Sequence, residues 1–443
     1  MHWRVINMKK YGLIFPGQGV QYKGMGKMHY DAYPVVRQTF EEANDVLHKD
    51  FAELCFNGKT SELNRIENTL LAILITSIAY FRVFLENSDI NPEFLAGHSL
   101  GEYSALVASE SLDLKDALLL VKKRSELSVR KSSIGSMTVV EGLSKGIIEN
   151  ICSSASGSDG VASIACYNSP KQVVICGHEK AVLKVEKQLA ALDASITPML
   201  SSPPFHCDLL REEAEEFRDY LDTFIFHNPK WNVISNVTAA PVKDSEEIKR
   251  NLALQLIMPV QWEESLNFMA DNQVDTLIEF GAKTILKNLS EDSKNHFENY
   301  SFCQKEDQKK LQLLFGEQAN ENKKEQEKEH KSRKPSFMGR CLAIAVCTQN
   351  FNWNKEEYES GVEKPYEKIE AIHQSLEAQQ AMPDINQMQE AMRLLNQIMV
   401  TKKATKEEIT RRFSQLMEET KTTTMLGDFV KEYILKDDMV NLC

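Results

Sequence analysis

The chain has 443 residues, 42% hydrophobic and 26% charged; at ~150 residues per domain this predicts about three units with a sizeable core and excludes a wholly disordered chain. A net charge of −12 and a pI near 5.5 lack the electrostatic footprint of a nucleic-acid binder and argue against an anionic membrane surface as partner. Nine scattered cysteines with no C-x-x-C offer neither a metal nor a disulfide framework, so the expected compartment is a reducing cytoplasm.

The first residues, MHWRVINMKKYGLIFPGQG, lack the apolar core and small-residue cleavage site of a signal peptide. Met8 is read as an alternative start. Tyr11-Gly12-Leu13-Ile14-Phe15 reads as a buried strand ended by Pro16-Gly17. Leu70 to Leu85 reads as a helix buried on most sides. Its apolar stretch, Leu70 to Tyr80, is broken by Thr76 and Ser77 and falls short of the ~20 residues a membrane span needs. Phe94-Leu95-Ala96 is a short strand, and Glu102 to Val121 a helix with a break near Leu112-Asp113.

Residues 131–200 read as an insertion. Ser136 to Val140 and Gln172 to Cys176 are strands. Lys180 to Leu192 is an amphipathic helix, and Ser153 to Gly160 a Gly/Ser loop. Strand, helix, strand, strand, helix, strand makes a small ferredoxin-like unit. Strands alternating with helices across residues 8–304 predict an α/β architecture with a parallel sheet. Residues 305–336, rich in both signs of charge, read as a solvated linker. In 337–443 three apolar stripes at helical spacing follow: Tyr366/Ile369/Ile372/Leu376, Met388/Met392/Leu395/Ile398 and Ile409/Phe413/Leu416. The last is opened by a capping-box pattern, Thr405 to Glu408. A small helical module of unassigned role is expected there.

Gly97-His98-Ser99-Leu100-Gly101 carries the strongest chemical signal. It fits G-x-S-x-G between a short strand and a helix, the context of a nucleophile elbow. The turn lifts the Ser99 hydroxyl from the sheet, and the helix start directs its dipole and free N–H groups at an oxyanion. A serine needs a base. His98 reads as a structural neighbour, whereas His206, in Ser202-Pro203-Pro204-Phe205-His206-Cys207, is one candidate among several of the ten histidines. Phe15-Pro16-Gly17-Gln18-Gly19-Val20-Gln21 is a loop at the carboxyl edge of the sheet, where sites form, and it is not a dinucleotide fingerprint.

Together these segments resemble the malonyl-CoA:acyl carrier protein transacylase family, which includes the acyltransferases of polyketide and fatty acid synthases. The matching motifs are FPGQGVQ at 15–21, GHSLGEYSALVAS at 97–109, Arg124 in LVKKRSEL, ACYNSPKQVVICG at 165–177, PPFHC at 203–207 and LQLIMPVQW at 254–262. They occur in the family's order from residue 11 to about 300. The resemblance implies an α/β-hydrolase-like subdomain with an inserted ferredoxin-like one. It implies Ser99 as nucleophile, His206 as base and Gln255 near the carbonyl that orients it. It also implies an oxyanion hole from the N–H groups of Gln18 and Leu100. Arg124 would hold the malonyl carboxylate, Phe205 would leave little room for an α-branch, and Asn168 would shape the substrate site. Malonyl-CoA and an acyl carrier protein are the implied partners. Polyketide synthase subunits would meet the C-terminal module, and no cofactor is implied. Thr69-Leu70-Leu71 and Ser128-Val129 depart from the family's usual Thr-Gln-Pro and Met-Gln, so an altered pocket lining is expected. Competing readings are a proofreading hydrolase of acyl carrier proteins and a non-catalytic carrier-binding scaffold. The first has no use for a carboxylate clamp, and the second none for intact Ser99 and His206.

Overall fold

A computed structural model describes residues 9–199, 202–315, 336–379 and 381–434. Met8 and most of the charged segment expected to be a linker, 316–335, lie outside the described residues. The chain divides into two units, Met1–Ala319 and Asn320–Cys443, rather than three. The first is larger than a typical domain because two sheets share it.

Its strands are β1 (Tyr11–Phe15), β2 (Phe94–Gly97), β3 (Gly135–Glu141), β4 (Ala162–Ser169), β5 (Gln172–His178), β6 (Ser195–Pro198), β7 (Asn232–Ile234), β8 (Val260–Gln261), β9 (Thr276–Glu279) and β10 (Glu298–Ser301). One sheet has the order β10-β9-β1-β2-β7 and is parallel throughout. A central parallel strand is covered on both faces, which is why β1 is a continuous apolar run. Its partner β2 aligns Phe15 with Gly97, so both strands deliver their following loops to the same carboxyl edge.

The second sheet has the order β6-β3-β5-β4-β8. Its βαββαβ segment is antiparallel between neighbours, the arrangement expected of residues 131–200. Period-two alternation divides its strands between two environments. Val140, Val173 and Ile175 pack with Ile148, Val182 and Val185 of the helices Lys145–Ala155 and Glu179–Ala190. Met137, Val174 and Cys176 join the main core of the unit.

Three readings need correction. The expected Gly/Ser loop starts later than Ser153, because Cys152 and Ala155 are buried and keep the helix Lys145–Ala155 going through the serines. The apolar stretch near Leu70 belongs to a 21-residue helix, Ile66–Glu86, long and apolar enough by composition to cross a membrane. It is a core helix, since 89% of that window is buried within the unit; Thr76 satisfies its hydroxyl on Ala72 O. The linker does not begin at residue 305 either, because residues 305–315 are helical. Leu311 and Phe315, one turn apart, insert into the main core, where Phe315 packs against Tyr11 and Phe84.

The second unit has helices Phe337–Cys347, Lys364–Ala378, Ile385–Thr401 and Lys406–Thr420, with shorter turns between and after them. The Met388 stripe is core, with Met392, Leu395 and Ile398 fully buried. At Thr405 the side chain accepts from Glu408 N–H, whereas the reciprocal box is made by Asp384 and Gln387.

If 305–315 is part of the first unit, Leu311→Ala should lower its unfolding free energy by about 2–5 kcal/mol. Denaturant melts would check this. A change under about 0.5 kcal/mol, typical of surface positions, would mean that the helix is not part of the core.

Candidate active site

The loops after β1 and β2 meet at the carboxyl edge of the parallel sheet. Two glycines of the elbow permit this approach. A Cβ on Gly101 would lie 1.9 Å from Phe15 O, and one on Gly97 would lie 1.9 Å from Gly101 C. The helix Gly101–Ala108 starts directly behind the turn. Ser99 itself takes a left-handed backbone, φ 52°, which is uncommon for a residue with a Cβ and found at functional turns.

Ser99 Oγ lies 2.7 Å from His206 Nε2, across 107 residues of sequence. His206 Nδ1 lies 2.6 Å from the main-chain oxygen of Gln255. A carbonyl only accepts, so the imidazole proton sits on Nδ1, and Nε2 accepts from the serine hydroxyl. His206 is also left-handed, φ 61°. It follows Pro203-Pro204, whose fixed φ stiffens the approach, and Cys207 N–H anchors the far side on Leu256 O. Burial, and then the positive charge of Arg124, push the imidazole down to about 3. It is therefore neutral at physiological pH.

Arg124 is the largest charged group at the centre, and it is buried. Its Nη2 donates to Ser99 Oγ at 3.1 Å and to Gln255 Oε1 at 3.2 Å. Its Cζ lies 4.5 Å from the Phe205 ring centroid and 5.8 Å from that of Tyr103. Among the described residues no hydrogen-bond partner meets its Nε. Arg130, one helical turn and a half further on, instead pairs with Glu216 at the surface.

A cavity of about 360 Å³ opens over Ser99 and His206. Gln18 lines it beside Gly17 and Gly19, and Phe205 and Asn168 also line it. Asn168 Oδ1 lies 2.8 Å from His98 Nε2, and its amide donates to Gln172. So Ser99, His206, Gln18, Phe205 and Asn168 share one cavity, with Arg124 and Gln255 bonded to its floor. Leu100 is buried at the helix start beside Ser99. The departures at 69–71 and 128–129 do not line the cavity. Leu70 is buried in the core, and Ser128 Oγ is bonded to Arg124 O.

Sequence reasoning missed Asn236 and Glu102. Asn236 Oδ1 accepts from Ser99 N–H at 2.7 Å. Glu102 Oε2 accepts from Gln255 Nε2 at 2.6 Å, and burial pushes its carboxyl up to about 7. Glu102 stands in the quoted elbow motif, but its isolated letter gives no sign of that partner.

Residues 13–329 match the acyl transferase domain family. The chain belongs to that family. It is an acyltransferase. A malonyl CoA-acyl carrier protein transacylase of Bacillus subtilis is 31% identical over 390 residues, covering 87% of this acyltransferase and 95% of the relative. That is more of the chain than the first unit holds, so the match reaches into the second. A namesake from Bacillus subtilis strain 168 is 37% identical over 286 residues, 64% of this chain and 90% of its own. Among solved structures, FabD from Acinetobacter baumannii is similar at a TM-score of 0.66 and 34% identity, covering 69% of this chain and 98% of its own. A malonyl-transacylase solved with its type II PKS acyl-carrier protein gives 0.65 and 34%, covering 67% and 97%.

Because His206 is buried neutral in the free acyltransferase, its imidazole should add no acid limb to the acylation rate at limiting acyl donor between pH about 8 and about 5. An acid limb near the ordinary histidine value, ~6.5, that persists in Glu102→Gln, where the carboxyl raised to about 7 is gone, would contradict the site electrostatics.

Proposed function

We propose that this acyltransferase moves a malonyl group from malonyl-CoA to the phosphopantetheine thiol of an acyl carrier protein through an ester on Ser99. The observation that carries the reading is Arg124: a buried guanidinium, bonded to Ser99 Oγ and Gln255 Oε1, whose Nε meets no partner among the described residues and which Glu102 reaches through Gln255 rather than by direct pairing. A buried cation with no carboxylate in direct contact is costly, and a planar fork suits a carboxylate. An acyl group that ends in a carboxylate supplies what is missing. The names of the similar proteins support the same donor and acceptor.

The steps follow from the chemistry of the side chains. His206 Nε2 takes the proton from Ser99 Oγ as Oγ bonds to the thioester carbon. The carbonyl oxygen gains the negative charge and is held by the N–H groups of Gln18 and Leu100. The C–S bond then breaks, and the CoA sulfur leaves with the proton from His206. In the second half the carrier thiol gives its proton to His206, attacks the ester, and Ser99 Oγ recovers the proton. Gln255 O keeps the imidazole tautomer throughout. Phe205 stacks on Arg124 and narrows the space beside the carboxylate, and Asn168 helps shape the same cavity. These steps call on side chains and backbone groups of this chain alone. A hydrolase acting on neutral acyl groups would leave Arg124 without an anion.

The finer assignment is a carrier of a polyketide assembly line, met through the second unit. Its support is that a similar malonyl-transacylase was solved with its type II PKS acyl-carrier protein, and that the match to the Bacillus subtilis relative extends past the catalytic unit.

Incubation with malonyl-CoA should add one malonyl mass to the protein, absent in Ser99→Ala. With Arg124→Ala, the preference for malonyl over acetyl donors should fall by about 10² or more. Absence of the adduct, with acyl-carrier thioesters hydrolysed instead, would replace the transferase by the hydrolase. Removal of 337–443 should leave CoA-dependent acylation intact and slow transfer to a polyketide-type carrier relative to a fatty-acid-type one. Equal rates would remove the docking assignment.

A further inference from the structure

A left-handed residue with a Cβ is strained and persists only where its surroundings over-determine it. At Ser99 the determinant comes from the neighbouring edge strand of the sheet. β7 lies next to β2, and the chain leaving it carries Asn236 under the elbow. Asn236 Oδ1 accepts from Ser99 N–H at 2.7 Å, and its Nδ2 donates to Gly97 O at 2.6 Å. The two partners fix the amide orientation, because an N–H requires the oxygen and a carbonyl requires the nitrogen. One side chain thus bridges both shoulders of the turn.

The clamp is itself held. Asn236 N–H donates to Glu102 Oε2 at 3.3 Å, and its carbonyl accepts from Gln261 N–H at 2.9 Å. Gln255 Nε2 donates to Glu102 Oε2 and to Ser99 O, and the main-chain oxygen of the same residue holds His206. Asn236, Glu102 and Gln255 are all buried. With Ser99 N–H engaged by Asn236, that donor is removed from the cavity and the next one along the helix start is Leu100 N–H.

We infer that Asn236 is a positioning residue for acyl transfer, whose amide locks the Ser99 turn and thereby aims Oγ at His206 Nε2. The inference rests on the reading of Ser99 as nucleophile. It adds that the Ser99–His206 pair is not sufficient when the turn beneath it is free.

The test uses the full chain and two reagents for Ser99, malonyl-CoA and a serine-directed fluorophosphonate, followed by rapid quench and intact mass. Wild type is compared with Asn236→Ala and Asn236→Asp, per mole of folded protein judged by thermal melting. Malonyl-CoA affinity is measured on each variant in the Ser99→Ala background. Asn236→Ala should lose about 10²-fold in maximal labelling rate with either reagent, the scale of a small misplacement of reacting atoms, while affinity stays within about threefold.

Asn236→Asp keeps the shape, and it keeps the test open if the alanine variant does not fold. Ionised, it sets a carboxylate oxygen against Gly97 O; protonated, it accepts and donates as the amide does. The groups that face it are Glu102 on the helix Gly101–Ala108 and, beyond Gln255, Arg124 and His206. All three are shared with wild type, so the readout is the ratio of variant to wild-type rate. That ratio should rise at least about tenfold between pH about 8 and about 5.5, as a carboxyl near a buried carboxylate regains its proton.

Asn236→Ala within about threefold of wild type, a loss confined to affinity, or Asn236→Asp with a flat ratio would overturn the clamp. Wild type labelled by the fluorophosphonate but not by malonyl-CoA would overturn the proposed donor instead, and the clamp would still be read from the fluorophosphonate rates.

Discussion

Burying Arg124 with no carboxylate in direct contact, Glu102 being reached only through Gln255, is the constraint around which the site is organised. A guanidinium removed from water needs donors satisfied and charge compensated. Here Ser99 Oγ and Gln255 Oε1 take one nitrogen, and the faces of Phe205 and Tyr103 cover the plane. The remaining charge acts on the neighbourhood. Together with burial it keeps His206 unprotonated. It also leaves Ser99 Oγ between a cation that donates and an imidazole that accepts. An anion arriving at Arg124 therefore changes the electrostatics of both groups at once.

The second organising element is backbone strain shared by two residues. Ser99 and His206 both lie in the left-handed region, and each is pinned by contacts from distant parts of the chain. Asn236 and Gln255 supply most of them. Gln255 is bonded through its side chain to the serine's carbonyl and through its carbonyl to the imidazole. Both halves of the pair thus refer to one residue, and their separation is set by a single side-chain length rather than by two loops drifting independently.

What could be read in the sequence follows the range of the interactions involved. β1, β2 and the elbow are legible because apolar runs and glycines report their reasons locally. His206 is not singled out by spacing, since what distinguishes it from the other histidines is a carbonyl 49 residues away; the family's motifs were needed to reach it. Asn236 sits in Ser235-Asn236-Val237, where nothing local marks it, because its partners are 137 and 139 residues distant. The helical residues 305–315 were hidden differently. Leu311 and Phe315 carry the core-facing spacing, but the surrounding lysines and glutamates dominate any composition window. In the second unit, methionine stripes at helical spacing were sufficient, since a small helical core is built from local periodicity.

The cavity draws its walls from both sheets. Gln18, Ser99 and His98 stand on loops of the parallel sheet, whereas Met137, Val139 and Val174 come from the antiparallel insertion. In evolutionary terms the chain is therefore modular at its centre. The reacting pair and the apolar liner facing it are written in separate stretches of sequence, β3 to β6 forming one continuous block. Drift in that block can re-dimension the chamber while the elbow stays as it is, so one catalytic engine can be fitted with different liners.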